Sequence, residues 1–277
     1  MRSSRSFISL FIASVSFFAG SAAAQPLLPH RAVYDLALAE AGEETGIDAL
    51  SGRWVFEFGG SACEGYTLNS RIVMRFAMTD GPRLLDQRVT SYEDAASERL
   101  RFVTRSFVDQ ELDTEVEGTA RRTDEGTVVD YEQPEKKEVS FGSALFPTAQ
   151  LKEMLTKAEE GVRFYESSIF DGTELVEKAH MVSVVLGEAE PVGADDPERG
   201  VLGELAGDPF VPVTLAYFDG DTEDGEETSD YIVSFKLHES GIQRDMRIRY
   251  PDYSMTATLV ELSLHEQNED CAAEEGR

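Results

Sequence analysis

Strict alternation of apolar and polar residues, repeated in run after run, constrains this chain more than any other feature. From Gly65 to Met78 one side of a period of two carries Tyr66, Leu68, Ser70, Ile72, Met74, Phe76 and Met78. The other carries Thr67, Asn69, Arg71, Val73 and Arg75. Successive side chains of a β-strand point to opposite faces, so this pattern specifies a strand with one buried and one wet face. Trp54, Phe56 and Phe58 alternate in the same way with Arg53, Val55 and Glu57, and Tyr34, Leu36 and Leu38 make a similar face. Leu100 and Phe102 alternate with Arg99, Arg101 and Arg105, and Leu112, Thr114 and Val116 with Asp113, Glu115 and Glu117. Tyr231, Val233, Phe235 and Leu237 share a face. Glu239-Ser240-Gly241 makes a plausible hairpin loop to Ile242, Met246, Ile248 and Tyr250, which stand against Gln243, Asp245, Arg247 and Arg249. In the last run Met255, Ala257 and Leu259 share one face while Val260, Leu262 and Leu264 continue on the other, which predicts a bulge or bend.

About a dozen or more such strands, regularly spaced, signal an antiparallel barrel or sandwich with one face packed and one solvated. One segment breaks the rhythm. From Pro147 to Glu160 the apolar residues Leu151, Met154, Leu155 and Ala158 fall at helical spacing, with Pro147 suited to a first helical position and Gly161 to the stop. The apolar stripe of this helix must be covered, by capping the sheet or closing a barrel mouth. Residues 187–208 and 219–227 read as loops that project from the domain.

The N-terminus carries an export signal. Arg2 and Arg5 form a short positive region, Phe7 to Ala19 are apolar apart from serines, and Ala22-Ala23-Ala24 satisfies the small-residue rule for cleavage between Ala24 and Gln25. The apolar run is too short for a comfortable membrane span, and no cysteine stands at the cleavage point to carry a lipid anchor. Residues 1–24 are therefore expected to be a signal peptide, and residues 25–277 a single β domain in the periplasm that does not span the membrane.

The chain holds 25 Lys and Arg against 53 Asp and Glu, a net charge of −28. Such a surface repels nucleic acid and anionic lipid headgroups, because both need cations to neutralise phosphate. The two cysteines, Cys63 and Cys271, would meet an oxidising compartment, and a disulfide between them would tie the chain end to an early strand. In the chain-entropy model such a long loop destabilises the unfolded state by about 5 kcal/mol. The alternative, a reactive Cys63 thiolate, needs a nearby cation, and Glu64 beside it points the other way.

No motif announces catalysis. His30, His180, His238 and His265 show no metal-ligand spacing and read as ordinary surface or strand histidines, and neither a serine-hydrolase elbow, a P-loop nor a dinucleotide fingerprint occurs. The run Asp219-Gly220-Asp221-Thr222-Glu223-Asp224-Gly225 has the flavour of a calcium loop, but Asp224 occupies the sixth position, where the sharp turn requires glycine. No catalytic residue, metal site or cofactor is expected, and no ligand-binding residue can be named.

The landmarks fall in a specific order: Leu28-Pro29-His30-Arg31-Ala32-Val33-Tyr34-Asp35-Leu36, then Ser51-Gly52-Arg53, Cys63-Glu64-Gly65-Tyr66, Phe146-Pro147-Thr148, Tyr250-Pro251-Asp252-Tyr253, and Cys271. From Leu28 to Cys271 the chain resembles the EipB-like periplasmic family of alphaproteobacteria, tied to cell-envelope integrity. The resemblance implies an antiparallel β-spiral, an incompletely closed β-barrel similar to the lipoprotein carriers LolA and LolB. It also places an internal disulfide on Cys63 and Cys271 and supplies no catalytic residues. Phe210-Val211-Pro212-Val213 departs from it in lacking an aromatic immediately before the proline. A large open barrel can enclose a hydrophobic cavity. The expected role is therefore non-enzymatic support of envelope integrity, through a lipid, an acyl chain or a lipidated peptide, or through a periplasmic protein partner. A scaffolding module with a filled interior is the alternative, and a hydrolase comes third.

Overall fold

The alternating runs become strands, and nearly every strand pairs with its neighbour in sequence. The computed structural model describes residues 27–218 and 229–266. The strands are β1 (His30–Ala41), β2 (Ile47–Ser61), β3 (Gly65–Met78), β4 (Arg83–Glu93), β5 (Arg99–Val108), β6 (Glu111–Thr123), β7 (Gly126–Gln133) and β8 (Lys137–Phe141). Helix α1 (Pro147–Glu159) leads to β9 (Phe164–Ile169) and β10 (His180–Leu186). A long excursion containing α2 (Arg199–Leu202) leads to β11 (Phe210–Phe218), β12 (Tyr231–His238), β13 (Gln243–Arg249) and β14 (Tyr253–Leu264). Together they form one 14-stranded sheet in the order β8-β7-β6-β5-β4-β3-β2-β1-β14-β13-β12-β11-β10-β9.

This order explains the spiral. The first and last strands pair with each other from His30↔Leu264 to Ala41↔Tyr253, so both ends of the pattern meet in the middle of the sheet. The free margins are then β8 and β9, which α1 joins. One parallel bridge, Leu145↔Ile169, links the segment after β8 to β9, and the barrel stays open there.

The apolar faces curl inward and pack as three clusters among the described residues. Ala32, Tyr34, Leu36, Leu50, Val184 and Phe235 belong to the main cluster, and Phe102, Tyr131, Phe146 and Phe170 close a second one near the open seam. Close backbone approach sets one glycine: at Gly60, with φ +101°, an added Cβ would stand 2.1 Å from the Gly65 carbonyl oxygen.

Bulges decide which residues face in. The predicted phase change at the chain end is real: Val33 pairs with Glu261 and Tyr34 with Leu259, which leaves Val260 as the extra residue. A similar slip corrects the expectation for Leu112. Ser106 pairs with Thr114 but Phe107 with Leu112, so Asp113 is extra and Leu112 turns outward, 53% exposed, while Val116 is fully buried. The segment 187–208 does not project as expected. It folds back through α2 and a 3-10 turn at Gly203–Gly207, and buries Val192 and Leu202.

Candidate functional site

The inner face offers the strongest candidate, and α1 defines its roof. Phe146 precedes α1 and has no side-chain oxygen to cap it. Glu93, the last residue of β4, supplies the cap from across the sheet. Its Oε2 accepts the Thr148 N–H at 2.7 Å and its Oε1 the Ala149 N–H at 3.0 Å, and Glu93 is only 2% exposed. A carboxylate at a helix N-terminus satisfies orphan donors and complements the helix dipole. So anchored, α1 lowers Met154 into the core and packs Leu151, Leu155 and Ala158 against it.

Beneath Leu151 lies a cavity of about 30 Å³ lined by His30, Tyr34, Trp54, Phe56, Phe58 and Met246, among others. The rings form a connected wall: Tyr34 and Trp54 lie 5.2 Å apart, Trp54 and Phe56 6.0 Å, and His30 and Phe56 5.7 Å. The polar tips of three lining residues are tied back to the scaffold. Tyr34 Oη donates to the Gln243 carbonyl at 2.7 Å, Trp54 Nε1 donates to Ser70 Oγ at 2.8 Å, and His30 Nδ1 lies 2.7 Å from the Leu28 carbonyl, to which it donates. Burial lowers the His30 pKa, so the ring is neutral. The wall therefore presents carbon. It continues along β2–β4 through Ile72, Phe76 and Leu85, which are only partly buried. The register places Trp54 opposite Ile72 and Met74 opposite Leu85 on the same inner face.

At the other end of this face the tyrosines form a ladder. Tyr217 stacks on Tyr231 at 4.3 Å, Tyr231 meets Tyr250 at 5.8 Å, and Tyr250 stacks on Tyr253 at 4.8 Å. Burial, first of all, raises all four phenol pKa values, so each ring is neutral.

A second constellation sits on the outer face and takes in one of the strand histidines. Ser234 pairs with Arg247 but Lys236 with Arg244, so β13 carries one extra residue, and Asp245 takes φ +48° there. The bulge moves Arg244 onto the face of Lys236, under the excursion between β10 and β11. Arg244 is 0% exposed. Its Nη1 lies 3.0 Å from Asp196 and 3.1 Å from Glu198, its Nε donates to His238 Nε2 at 2.9 Å, and its guanidinium covers the Phe210 ring. Lys236 Nζ bridges Asp196 at 3.0 Å and Asp245 at 2.8 Å. Glu198 Oε1 also accepts the N–H of Leu259 at 2.6 Å and of Asp245 at 3.2 Å. The carboxylate fills the gap left where β13 and β14 stop pairing beyond Met246↔Ala257.

The electrostatics follow from burial. His238, the last residue of β12, is fully buried, and burial with the Arg244 charge pushes its pKa down to about 4. Burial raises the Glu198 carboxyl despite the Leu259 N–H and Arg244. Burial also works against ionised Asp196, but Lys236, the Glu198 N–H and Arg244 outweigh it and hold that carboxyl below the usual range. Arg244 Nη1 and Nε are thus taken up by partners within the chain, and the cluster reads as a clamp that holds the excursion down.

Of the sequence-predicted site residues only Cys63 lies among the described residues, and it joins neither constellation. Cys63 stands in the exposed turn between β2 and β3, which Tyr92 Oη pins by donating to the Glu64 carbonyl at 2.7 Å. Cys271, Ala24, Gln25 and the acidic turn 219–227 lie outside the described residues. Among the described residues no group of His, Cys, Asp and Glu is arranged to hold a metal ion, and no helix is long and apolar enough to cross a membrane.

Comparison with known proteins places this geometry. A family model described as EipB-like matches residues 21–266. The cell envelope integrity protein EipB of Brucella abortus (strain 2308) is 43% identical over 253 residues, which cover 90% of this chain and 89% of that protein. The crystal structure of a beta-barrel-like protein of a domain of unknown function, also from Brucella abortus, superposes with a TM-score of 0.81 at 42% identity, covering 87% of this chain and 99% of that one.

Proposed function

The chain belongs to the EipB-like family, and from that membership we propose that it supports cell-envelope integrity from the periplasm, without catalysis, by holding an apolar guest on the inner face of the spiral. One observation carries this reading. The inner row Trp54, Phe56, Ile72, Phe76 and Leu85 is only partly buried, although it belongs to the packed side of the sheet. A row that the protein's own side chains cover only in part gains about 25 cal/mol for each further Å² that a guest removes from water. The guest's apolar part is an acyl chain or an apolar peptide segment laid along the row, with its end toward the cavity beneath Leu151.

In this reading residues 25–277 act as one domain after cleavage between Ala24 and Gln25, and a Cys63–Cys271 disulfide ties the chain end to the β2–β3 turn. The cavity's volume of about 30 Å³ favours a second reading, in which a partner protein covers the row and no lipid enters. Native mass spectrometry with a lysophospholipid separates them. The lipid reading expects one bound molecule, lost in Ile72→Asp and kept in Val73→Asp, whose side chain lies on the outer face. Absence of a complex, or equal loss in both variants, overturns it.

A further inference from the structure

The outer face of the sheet is divided by charge. Along β3–β6 it carries matched ion pairs: Arg71 and Arg88 hold Asp86 at 2.8 and 2.7 Å, and Arg105 holds Glu115 at 2.6 Å. Across β9–β11 exposed apolar residues join the charged ones, which include Glu166 opposite Ser183. The register sets Phe164 directly opposite Val185, Ser183 opposite Ala216, and Met181 opposite Phe218, all on one outer face. Phe164, Val185 and Met181 are 59%, 48% and 41% exposed. Glu166 and Ser183 separate Met181 from the rest, but Phe164 and Val185 form an adjacent exposed apolar pair at the sheet margin, where a contact would cover them.

The same area lies at the open margin of the spiral. The Arg163 carbonyl accepts from Leu186 N–H on the β10 side, while the Ser168 carbonyl accepts from Leu145 N–H on the opposite side. Because backbone groups alternate along a strand, odd-numbered residues of β9 bond toward β10 and even-numbered ones face the margin. Leu145 takes the margin at Ser168 and Phe170. The N–H and C=O groups of Phe164 and Glu166 face outward there, and the β9–β10 ladder leaves them unused. An edge strand with exposed apolar side chains is a template for one more strand.

We propose that β9 receives an extended segment of another protein as an additional strand, apolar at alternate positions and flanked by Lys or Arg. Charge selects this occupant. Glu166 stands exposed in the strand itself, in a chain of net charge −28, while nearby Glu188 is already held by Arg163 at 3.7 Å. A second copy fits poorly, because β9–β9 pairing places an exposed Glu166 in each of the two edges and sets two strongly acidic chains against each other. The proposal concerns the outer face and is independent of the inner-face reading.

The test uses the full exported chain and a fluorescent synthetic peptide of alternating valine and threonine flanked by paired lysines. The expected result is saturable binding that weakens with salt, protection of the Phe164 and Glu166 amides from hydrogen exchange, and no binding of the same peptide flanked by glutamates. Phe164→Thr, which keeps strand propensity, should weaken binding about tenfold through lost apolar contact. Glu166→Pro, which removes a marginal N–H, should abolish binding, and where that variant fails to fold the Phe164→Thr result decides. Absence of binding, or binding unchanged in Phe164→Thr, overturns the proposal. So does sedimentation showing a dimer of the free chain that Phe164→Thr dissolves, because the occupant is then a second copy.

Discussion

Replacing Glu93 by glutamine tests whether α1 is held as its geometry requires. The carboxylate accepts the Thr148 and Ala149 N–H groups at 2.7 and 3.0 Å from a site 2% exposed. Glutamine keeps one acceptor oxygen and turns an amide NH₂ toward the other donor. The loss comprises one hydrogen bond to a charged acceptor, about 1.5–3 kcal/mol, and the helix-terminus attraction, about 0.3–1 kcal/mol. Relief of carboxylate burial works the other way, so the expected net cost is about 2–3 kcal/mol. For a chain of this size that lowers Tm by about 4–12 °C. Glu93→Leu leaves both N–H groups without an acceptor and should cost more. Thermal melts give the magnitude, and hydrogen exchange should show the Thr148 and Ala149 amides losing protection before the sheet does. A Glu93→Gln protein within about 0.5 kcal/mol of the parent, with α1 amides still protected, would refute the reasoning.

Further outcomes follow from the outer clamp and the cysteines. Arg244→Met leaves Glu198 buried without its cation and Asp196 with Lys236 alone, and should destabilise the chain by about 3–5 kcal/mol in denaturant titration, with part of the loss recovered when Glu198→Gln is added. His238 stays neutral in the folded chain down to about pH 4, whereas the unfolded chain protonates it near 6.5. Its contribution is therefore complete above pH 6.5 and lost as pH falls toward 4, about 3 kcal/mol in all, and the pH dependence of unfolding free energy should flatten over that window in His238→Gln. The exported, non-reduced chain should show no reactive thiol when denatured, and Cys63→Ser should lower stability by up to about 5 kcal/mol; two reactive thiols would remove the proposed disulfide.

Much of the fold was legible because its determinants are local. The alternation from Gly65 to Met78 marks β3 at both ends, Pro147 and Gly161 bracket α1, and the phase change after Leu259 locates the Val260 bulge. The outer clamp was not legible for a physical reason. A period-two count carried through Asp245 puts Arg244 with Ile242 and Met246, whereas the left-handed Asp245 shifts it to the opposite face. Asp196 and Glu198 lie in a segment with no period at all, and their partners are far away in sequence. The excursion looked like a projecting loop because, beside Val192 and Leu202, its buried groups include carboxylates, which become core residues only once Arg244 and the gap between β13 and β14 receive them. Glu93 was hidden similarly, since the helix it caps begins well beyond its own strand. The aromatic wall was readable as an inward face. That its polar tips are tied back, which leaves carbon exposed, is visible only with Ser70, Gln243 and Leu28 in place.

Trp54 is the only tryptophan of the chain and stands in the wall itself, so it reports the occupancy of the inner face directly. Titration with a fatty acid brominated along its acyl chain should quench Trp54 emission saturably, and the unbrominated chain should shift that emission to the blue without quenching. Quenching that rises linearly with concentration, or emission that neither chain alters, would contradict a guest-holding inner face.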